Sequence, residues 1–514
     1  MSQPLIKTLG ELKASKYKPL SIKEEVRHNL IQKLKNKEVT FPGVYGYDDT
    51  VIPEVERAIL SKHNMLFLGL RGQAKTRMAR QMTSLLNEYI PVVAGSDIND
   101  DPYQPISKYA KDLITTHGDD TPITWLHSSV RYGEKLATPD VSVADLIGDI
   151  DPIKAVNLKL SFADEQVLHY GIIPRSNRCI FVINELPDLQ ARIQVSLFNI
   201  LEEGDIQIRG FKLRLPLDVL FVFTANPEDY TNRGSIVTPL KDRIQSQILT
   251  HYPKDIETAL SITEQEAHYS AAQKEKVSIS DFVKRLIEQI AIEARSSELV
   301  DKKSGVSARL TISAFENAIS AAERRAIINN EDDTMVWISD LMGIIPSITG
   351  KIELVYEGEQ EGPYQVAINL LNKAIRTQFV QYFPNPDTLK KKRPITKKST
   401  EDKEIVNPYK AIIAWFDTGN TVELYADMGD LDRIQELYKV DGLHSIAKQY
   451  FSKTNDKECA LLMEFVLHGL SSYSLINKNM IDGKIAFKDL MGSMLNLNYG
   501  SQTNADEDDE GDYN

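Results

Sequence analysis

The sequence predicts an α/β domain built on a mainly parallel sheet, followed by a helical domain and a mostly helical C-terminal module. Three observations lead there. Short apolar runs, "MLFLG" (65–69), "ITWLH" (123–127), "CIFVI" (179–183) and "VLFVF" (219–223), each read as buried parallel strands separated by stretches with helical spacing. The last two are apolar throughout, as strands covered on both faces are. The first run opens directly into "GLRGQAKTRMAR" (69–80), a strand–loop–helix passage close to the phosphate-binding pattern G-x-x-x-x-G-K-[ST].

Bulk properties frame what surrounds that domain. A chain of 514 residues exceeds a single ordinary core, so several domains are expected. Its net charge of −13 argues against a dedicated electrostatic grip on nucleic acid. Cys179 and Cys459 are the two cysteines, far apart and without CxxC or Cys/His spacing, so no zinc site or disulfide framework follows. The N-terminus lacks the apolar core of a signal peptide, and no apolar run approaches the ~20 residues of a membrane span. A cytoplasmic location is the expectation.

Along the chain, residues 1–42 form a Lys-rich N-terminal segment in which "LSIKEEVRHNLIQKL" (20–34) has helical spacing. The α/β domain occupies 43–252. From 253 to 349 the strand signal vanishes, and "DIETALSITEQEAH", "ISDFVKRLIEQIAIEA", "SARLTISAFENAISAAERRAI" and "TMVWISDLMGII" read as four helices. A strand–helix extension follows at 350–383, with "KIELVYEG" (351–358) as its candidate strand. Residues 384–407 are a charged linker whose Lys390–Lys398 cluster reads as solvated charge before it reads as a localisation or nucleic-acid patch. A helical module at 408–500 and an acidic tail at 501–514, expected to be disordered, complete the chain.

Five fragments carry chemistry. In the loop, Gly69, Gly72, Gln73, Ala74, Lys75, Thr76 and Arg77 are the candidate nucleotide-binding residues. Backbone N–H groups at a helix N-terminus suit a phosphate, Lys75 supplies a point charge, and Thr76 supplies a hydroxyl to Mg²⁺. Ala74 stands where the second glycine belongs, and its methyl group restricts positive φ. Alone, the passage fits a phosphate site and an ordinary Gly-containing turn equally. "CIFVINEL" (179–186) delivers Asn184 and Glu185 to the C-terminal end of a buried strand, where open α/β sheets bind ligands. Glu185 is the candidate for orienting an attacking water. Asn184 stands where a Walker B element would place the aspartate that holds Mg²⁺ through water. A strand that simply ends in polar residues is the alternative. "VLFVFTANPEDY" (219–230) ends similarly in Asn226, whose amide suits a γ-phosphate or lytic water, although a polar turn explains it as well. In "TPLKDRI" (238–244), Arg243 is placed to stabilise a transferring phosphoryl group if a neighbouring subunit presents it, or is a surface arginine. Arg309 in "SGVSARLTISAF" (304–315) falls in the first turn of a helix, where the macrodipole disfavours a cation unless an anion is near.

The order and spacing of Lys75, Glu185, Asn226, Arg243 and Arg309 resemble those of an AAA+ ATPase, specifically of the MoxR and magnesium-chelatase subunit I branch, over roughly residues 40–345. P-loops of that branch often read G-x-x-G-x-A-K-T, the form of "GLRGQAKT", so Ala74 looks like a family variant. "SVADLIGDIDPIKA" (142–155) is similar to the chelatase helix-2 insert, and "GDIQIRGFKLRLPLDVLFVFTANP" to a presensor hairpin leading into sensor 1. Alternation of Ile206, Ile208, Leu213 and Leu215 around Arg209-Gly210 independently reads as a hairpin. On this resemblance Arg243 would be the arginine finger and Arg309 the sensor-2 arginine, and Arg192 falls near a further inter-subunit position. Asn184 departs from the pattern, which implies an active ATPase slowed by weaker Mg²⁺ binding.

The resemblance implies ATP and Mg²⁺ as ligands and a homo-oligomeric ring, commonly a hexamer. It also implies a protein client, often a partner with a von Willebrand factor A (VWA) domain. Three other readings stand beside this one. The chain could be the motor subunit of a magnesium chelatase, or a nucleotide-gated scaffold with little turnover. A nucleic-acid motor is suggested only by the basic hairpin residues Arg209, Lys212 and Arg214, against the acidic total charge.

Overall fold

The structure is a computed structural model that describes residues 4–159, 164–208, 214–227, 234–390, 407–481 and 483–490. The chain divides into two compact units, Met1–Pro253 and Lys254–Asn514.

The first unit is organised by a five-stranded parallel sheet. Its strands in chain order are β1 (Met65–Leu68), β2 (Tyr132–Leu136), β3 (Cys179–Asn184), β4 (Val219–Ala225) and β5 (Ser246–Leu249). They lie side by side as β5-β1-β4-β3-β2, every pairing parallel. The apolar runs of β3 and β4 occupy the centre because they can be covered on both faces. One face presents Leu66, Phe181, Ile183, Phe221 and Phe223 to a core shared with Ile193, Leu197 and Leu240. The opposite face presents Met65, Phe67, Ile180, Val182, Leu220 and Val222 to Val26, Leu30, Val55 and Met78. Burying each such side chain contributes about 1.5–3 kcal/mol.

The N-terminal helix Ile22–Lys35 covers this second face. Ser21 and Glu24 form its capping box, and Ile22, Val26 and Leu30 recur every fourth residue on its buried side. Glu25, on the same helix, pairs with Arg131 through two 2.7 Å bonds, with both side chains buried. Removing one partner of such a pair costs about 3–5 kcal/mol. Residues 22–35 therefore belong to the core of the first unit.

One strand assignment in the sheet is corrected. "ITWLH" (123–127) does not join it: the strand pairs antiparallel with Tyr89–Val93 in a separate ribbon. Only its Ile123 is buried, and Trp125 Nε1 donates 2.8 Å to the carbonyl of Ile6, so the N-terminal segment covers this strand. Its expected place is taken by "YGEKL" (132–136), a half-exposed edge strand whose polar residues hid it, and β5 forms the other edge. The helix after the loop runs over Lys75–Gln81 and passes into a 3₁₀ turn over Met82–Leu85. The expected hairpin forms between Asp205–Gln207 and Arg214–Pro216, with Ile206, Ile208 and Leu215 buried. Arg209, Gly210, Lys212 and Leu213 lie outside the described residues, as do residues 391–406 of the linker and the tail.

In the second unit, the long helices Asp281–Ser296, Arg309–Ile328, Pro363–Tyr382 and Asp456–Ser472 contribute to one hydrophobic core that reaches from Val277 to Phe487. The described residues of 253–349, 350–383 and 408–490 thus share a core. A buried ionic cluster lies within it: Arg325 meets Asp430 at 2.6 Å and Asp340 at 3.2 Å, and Trp337 Nε1 donates 2.8 Å to Asp430. "TMVWISDLMGII" is not one helix. Thr334–Met335 pairs with Val277–Ser278 as a short strand, Asp340 accepts the N–H of Trp337 at 2.8 Å, and a 3₁₀ turn begins at Ser339. "KIELVYEG" makes only an isolated bridge, Val300 to Leu354, before a helix at Tyr356–Glu361. The 408–490 region adds to its helices a three-stranded antiparallel sheet formed by Val422–Tyr425, Lys484–Lys488 and Asn477–Ile481. Among the described residues, no helix is long and apolar enough to cross a membrane.

Candidate functional site

The C-terminal ends of β1, β4 and β3 bring three of the predicted fragments together. Register aligns Leu68 with Ala225 and Phe223 with Ile183. The next residues, Gly69, Asn226 and the Asn184-Glu185 pair, therefore emerge side by side at the edge where parallel sheets bind ligands.

The loop is held from several sides. Gly69 N–H donates to the carbonyl of Ala225 at 3.1 Å. A Cβ on Gly69 would fall 2.0 Å from Thr250 Oγ1 and 2.3 Å from Gln73 Oε1, so this glycine is required by close approach. Those two groups bond to each other at 2.7 Å. Tyr47 Oη lies 3.0 Å from the Gln73 carbonyl and 2.9 Å from that of His251, and Tyr252 Oη donates 3.0 Å to the Arg71 carbonyl. Burial pushes the Tyr47 phenol up to about 12, so it remains a neutral donor. Two loop residues are left-handed, Gly72 at φ 74° and Ala74 at φ 55°, and the helix begins immediately at Lys75. The methyl group at 74 thus occupies the backbone conformation that glycine tolerates best.

Lys75 turns back over the loop. Its ammonium donates to the carbonyls of Gly69 and Leu70, the latter at 2.9 Å, and to Asn226 Oδ1 at 2.7 Å. Residues 151 apart in sequence thereby meet at one point. Thr76 follows on the first turn, half-buried.

On β3, Asn184 is a buried junction. Its Oδ1 accepts from Thr224 Oγ1 at 3.0 Å, and its Nδ2 donates to Glu134 Oε1 at 2.5 Å. Glu134, on β2, is also held by Arg80, whose Nε and Nη2 lie 3.0 and 2.9 Å from Oε2. The backbone turns left-handed at Glu185, φ 55°, and its N–H donates 3.2 Å to Thr224 Oγ1. Among the described residues, nothing pairs with the half-buried Glu185 carboxylate. A non-glycine residue held at positive φ stores strain of about 1–3 kcal/mol, which such sites use to aim a side chain.

The remaining predicted residues are placed differently. Arg243 ends the helix Thr238–Arg243, where it pairs with Glu202 at 2.6 Å, donates to the Pro239 carbonyl and lies over the Phe198 ring. Arg192 is exposed at the start of the helix Ala191–Ser196. Arg309 is the exposed first residue of the helix Arg309–Ile328, in the second unit. Tyr47, Thr250 and Glu134 were not read from the sequence, whereas Thr224 was read with Asn226 as a polar end of its strand. None of the first three sits in a motif, and only the fold brings them to the loop or to Asn184.

The donors present fit a nucleoside triphosphate with its magnesium ion. A left-handed turn, a helix start and one lysine suit a polyphosphate anion. Among the described residues no group of three or more His, Cys, Asp or Glu could hold a metal alone. Mg²⁺ at nucleotide sites is usually carried by phosphate oxygens, a hydroxyl and water, and Thr76 offers the hydroxyl here.

No family model matches the sequence, and no curated protein does. Several solved structures are similar to the chain. One is a "crystal structure of a putative ATPase" from Cytophaga hutchinsonii, 18% identical over 71% of this chain and 98% of that one, with a TM-score of 0.28. Another is the complex between subunits BchI and BchD of magnesium chelatase, 18% identical over 62% of this chain and 98% of that one, TM-score 0.32. A third is NtrX from Brucella abortus in complex with ATP, 12% identical over 69% of this chain and 68% of that one, TM-score 0.33. In another NtrX structure the chain spans 57% of that protein's length.

Proposed function

We propose that this chain is an AAA+ ATPase of the MoxR and magnesium-chelatase subunit I branch, which hydrolyses ATP with Mg²⁺ in a homo-oligomeric ring. The observation that carries the reading is the meeting of Lys75 with Asn226 at the sheet edge, beside Glu185, whose carboxylate has no partner among the described residues. A lysine that already donates to an amide and two carbonyls can exchange those neutral acceptors for phosphate oxygens, which bind it more strongly. Asn226, once released, is free to orient a water or the terminal phosphate, and Glu185 to accept a proton from the attacking water. When bound, Mg²⁺ would neutralise charge on the transferring phosphoryl group, and Thr76 would supply a hydroxyl to hold it.

Arg243 acts on the nucleotide of a neighbouring subunit in this proposal, and Arg309 on that of its own. The conversion of hydrolysis into remodelling of a protein client, with a VWA-domain partner and in the cytoplasm, belongs to the same proposal. One observation favours a scaffold with little turnover: the Walker B position offers an amide whose two atoms are both engaged.

Steady-state ATP hydrolysis separates the readings, with nucleotide affinity measured alongside. Glu185→Gln should keep ATP binding within about threefold and reduce turnover by about 10²–10⁴, the range of a lost general base. Equal, negligible turnover in both proteins despite tight binding would select the scaffold. No binding in either would refute the nucleotide site.

A further inference from the structure

In most magnesium–nucleotide sites an acidic side chain stands behind the metal's water shell. Here position 184 is an asparagine, and the negative charge lies one strand away. Glu134 and Asn184 come from neighbouring strands, β2 and β3, in a register that pairs Glu134 with Val182 and Leu136 with Asn184. The amide can face the carboxylate in one sense only. Thr224 Oγ1 donates to Oδ1, and Nδ2 donates to Glu134 Oε1. Reversing the amide would set its oxygen against a carboxylate at hydrogen-bond distance, with no proton between them. Asn184 is buried and Glu134 only 22% exposed, so the bond is poorly screened.

The other oxygen of Glu134 is clasped by Arg80, which is 64% exposed on the helix that follows the loop. Arg80 can therefore release the carboxylate into water at little cost, whereas Asn184 cannot move from the strand end.

We infer that Glu134 supplies the acidic charge behind the metal site, transposed from position 184 to the adjacent strand, with Asn184 as the amide link that holds it there. Glu134 is a positioning and charge-supplying residue in this scheme, and the Asn184 position does not represent a loss of charge from the sheet edge. The inference rests on the proposed Mg²⁺–ATP site.

The test is the Mg²⁺ concentration that half-saturates binding of a fluorescent, non-hydrolysable ATP analogue to the full chain. Glu134→Gln, Glu134→Asp and the exchange variant Glu134→Gln/Asn184→Asp are compared with the wild type. Glu134→Gln should raise the Mg²⁺ midpoint about tenfold while leaving metal-free analogue binding within twofold, a split that a merely structural tie would not produce. Glu134→Asp should stay within threefold of the wild type. The exchange variant should return to within threefold, because one carboxylate at either position suffices. An unchanged midpoint in Glu134→Gln overturns the inference while leaving the nucleotide site standing. So does an exchange variant whose midpoint stays about tenfold above the wild type, and this comparison with the wild type also decides the matter if the single variant does not fold. A wild type that binds no analogue, with or without Mg²⁺, overturns both the site and this inference.

Discussion

Asn226 Oδ1 lies 2.7 Å from Lys75 Nζ, so a side-chain hydrogen bond joins the end of β4 to the end of the loop that follows β1. The bond explains how a loop with few side chains keeps its lysine ordered before a ligand arrives. Asn226→Asp should convert it into an ion pair and add negative charge beside the proposed phosphate site. ATP affinity should fall by at least about tenfold, corresponding to about 1.4 kcal/mol. Asn226→Ala should leave affinity within about threefold and lower turnover instead. Titration of nucleotide binding beside kcat checks both.

Ala74 sits at φ 55° without the freedom of glycine. Ala74→Gly should stabilise the first unit by about 1 kcal/mol, since alanine at positive φ is strained by roughly that amount. Ala74→Val should destabilise it, because β-branched residues are poorly tolerated there. Urea denaturation of the two variants gives the sign in each case.

Gly69 has no room for a methyl group between Thr250 and Gln73. Gly69→Ala should break the Thr250–Gln73 bond and cost about 1–3 kcal/mol, as overpacking does. Nucleotide affinity should fall with it. If Gly69→Ala melts at the wild-type temperature and binds ATP normally, the close approach at this loop is wrong.

Asn184→Asp would replace a donor by a carboxylate facing Glu134. The loss of a buried bond, together with like-charge repulsion, should cost about 1–3 kcal/mol. Glu134→Gln in the same chain should recover most of it, since an amide then faces the new carboxylate. Thermal denaturation of the two single variants and the double variant, without nucleotide, measures this coupling.

In the second unit, Glu288 is buried, accepts from Thr263 Oγ1 at 2.6 Å, and is pushed by that burial up to about 7 from an ordinary value of 4.5. The folded state therefore retains a proton that the unfolded chain releases between those values. Stability falls as pH rises through that window, and above it the buried charge costs about 3 kcal/mol. Glu288→Gln should keep the Thr263 contact and remove the slope. Its melting temperature should exceed that of the wild type at pH 8 and approach it at pH 4.5.

Much of this was legible in the primary structure. The runs over 179–183 and 219–223 are apolar at every position, which only a strand buried on both faces explains, and they occupy the centre of the sheet. The glycines, lysine and threonine of 69–76 match the phosphate-loop pattern in the sequence because their spacing is local. β2 was not legible: "YGEKL" is an edge strand with polar, half-exposed residues, so periodicity says little. "ITWLH" misled for the opposite reason, since its apolar side chains are covered by the N-terminal segment and not by crossover helices.

The sequence by itself determined the order of the chemical groups: Lys75, then Asn184 and Glu185, then Asn226, each following an apolar strand. Strand-forming runs and loop residues are local properties, written in a few consecutive side chains. Tertiary structure decided the company those groups keep. Only the β5-β1-β4-β3-β2 order sets Lys75 against Asn226, Thr224 under Asn184, and Glu134 beside it. Hydrogen bonds reach about 3 Å, and which residues come that close depends on strand order and register.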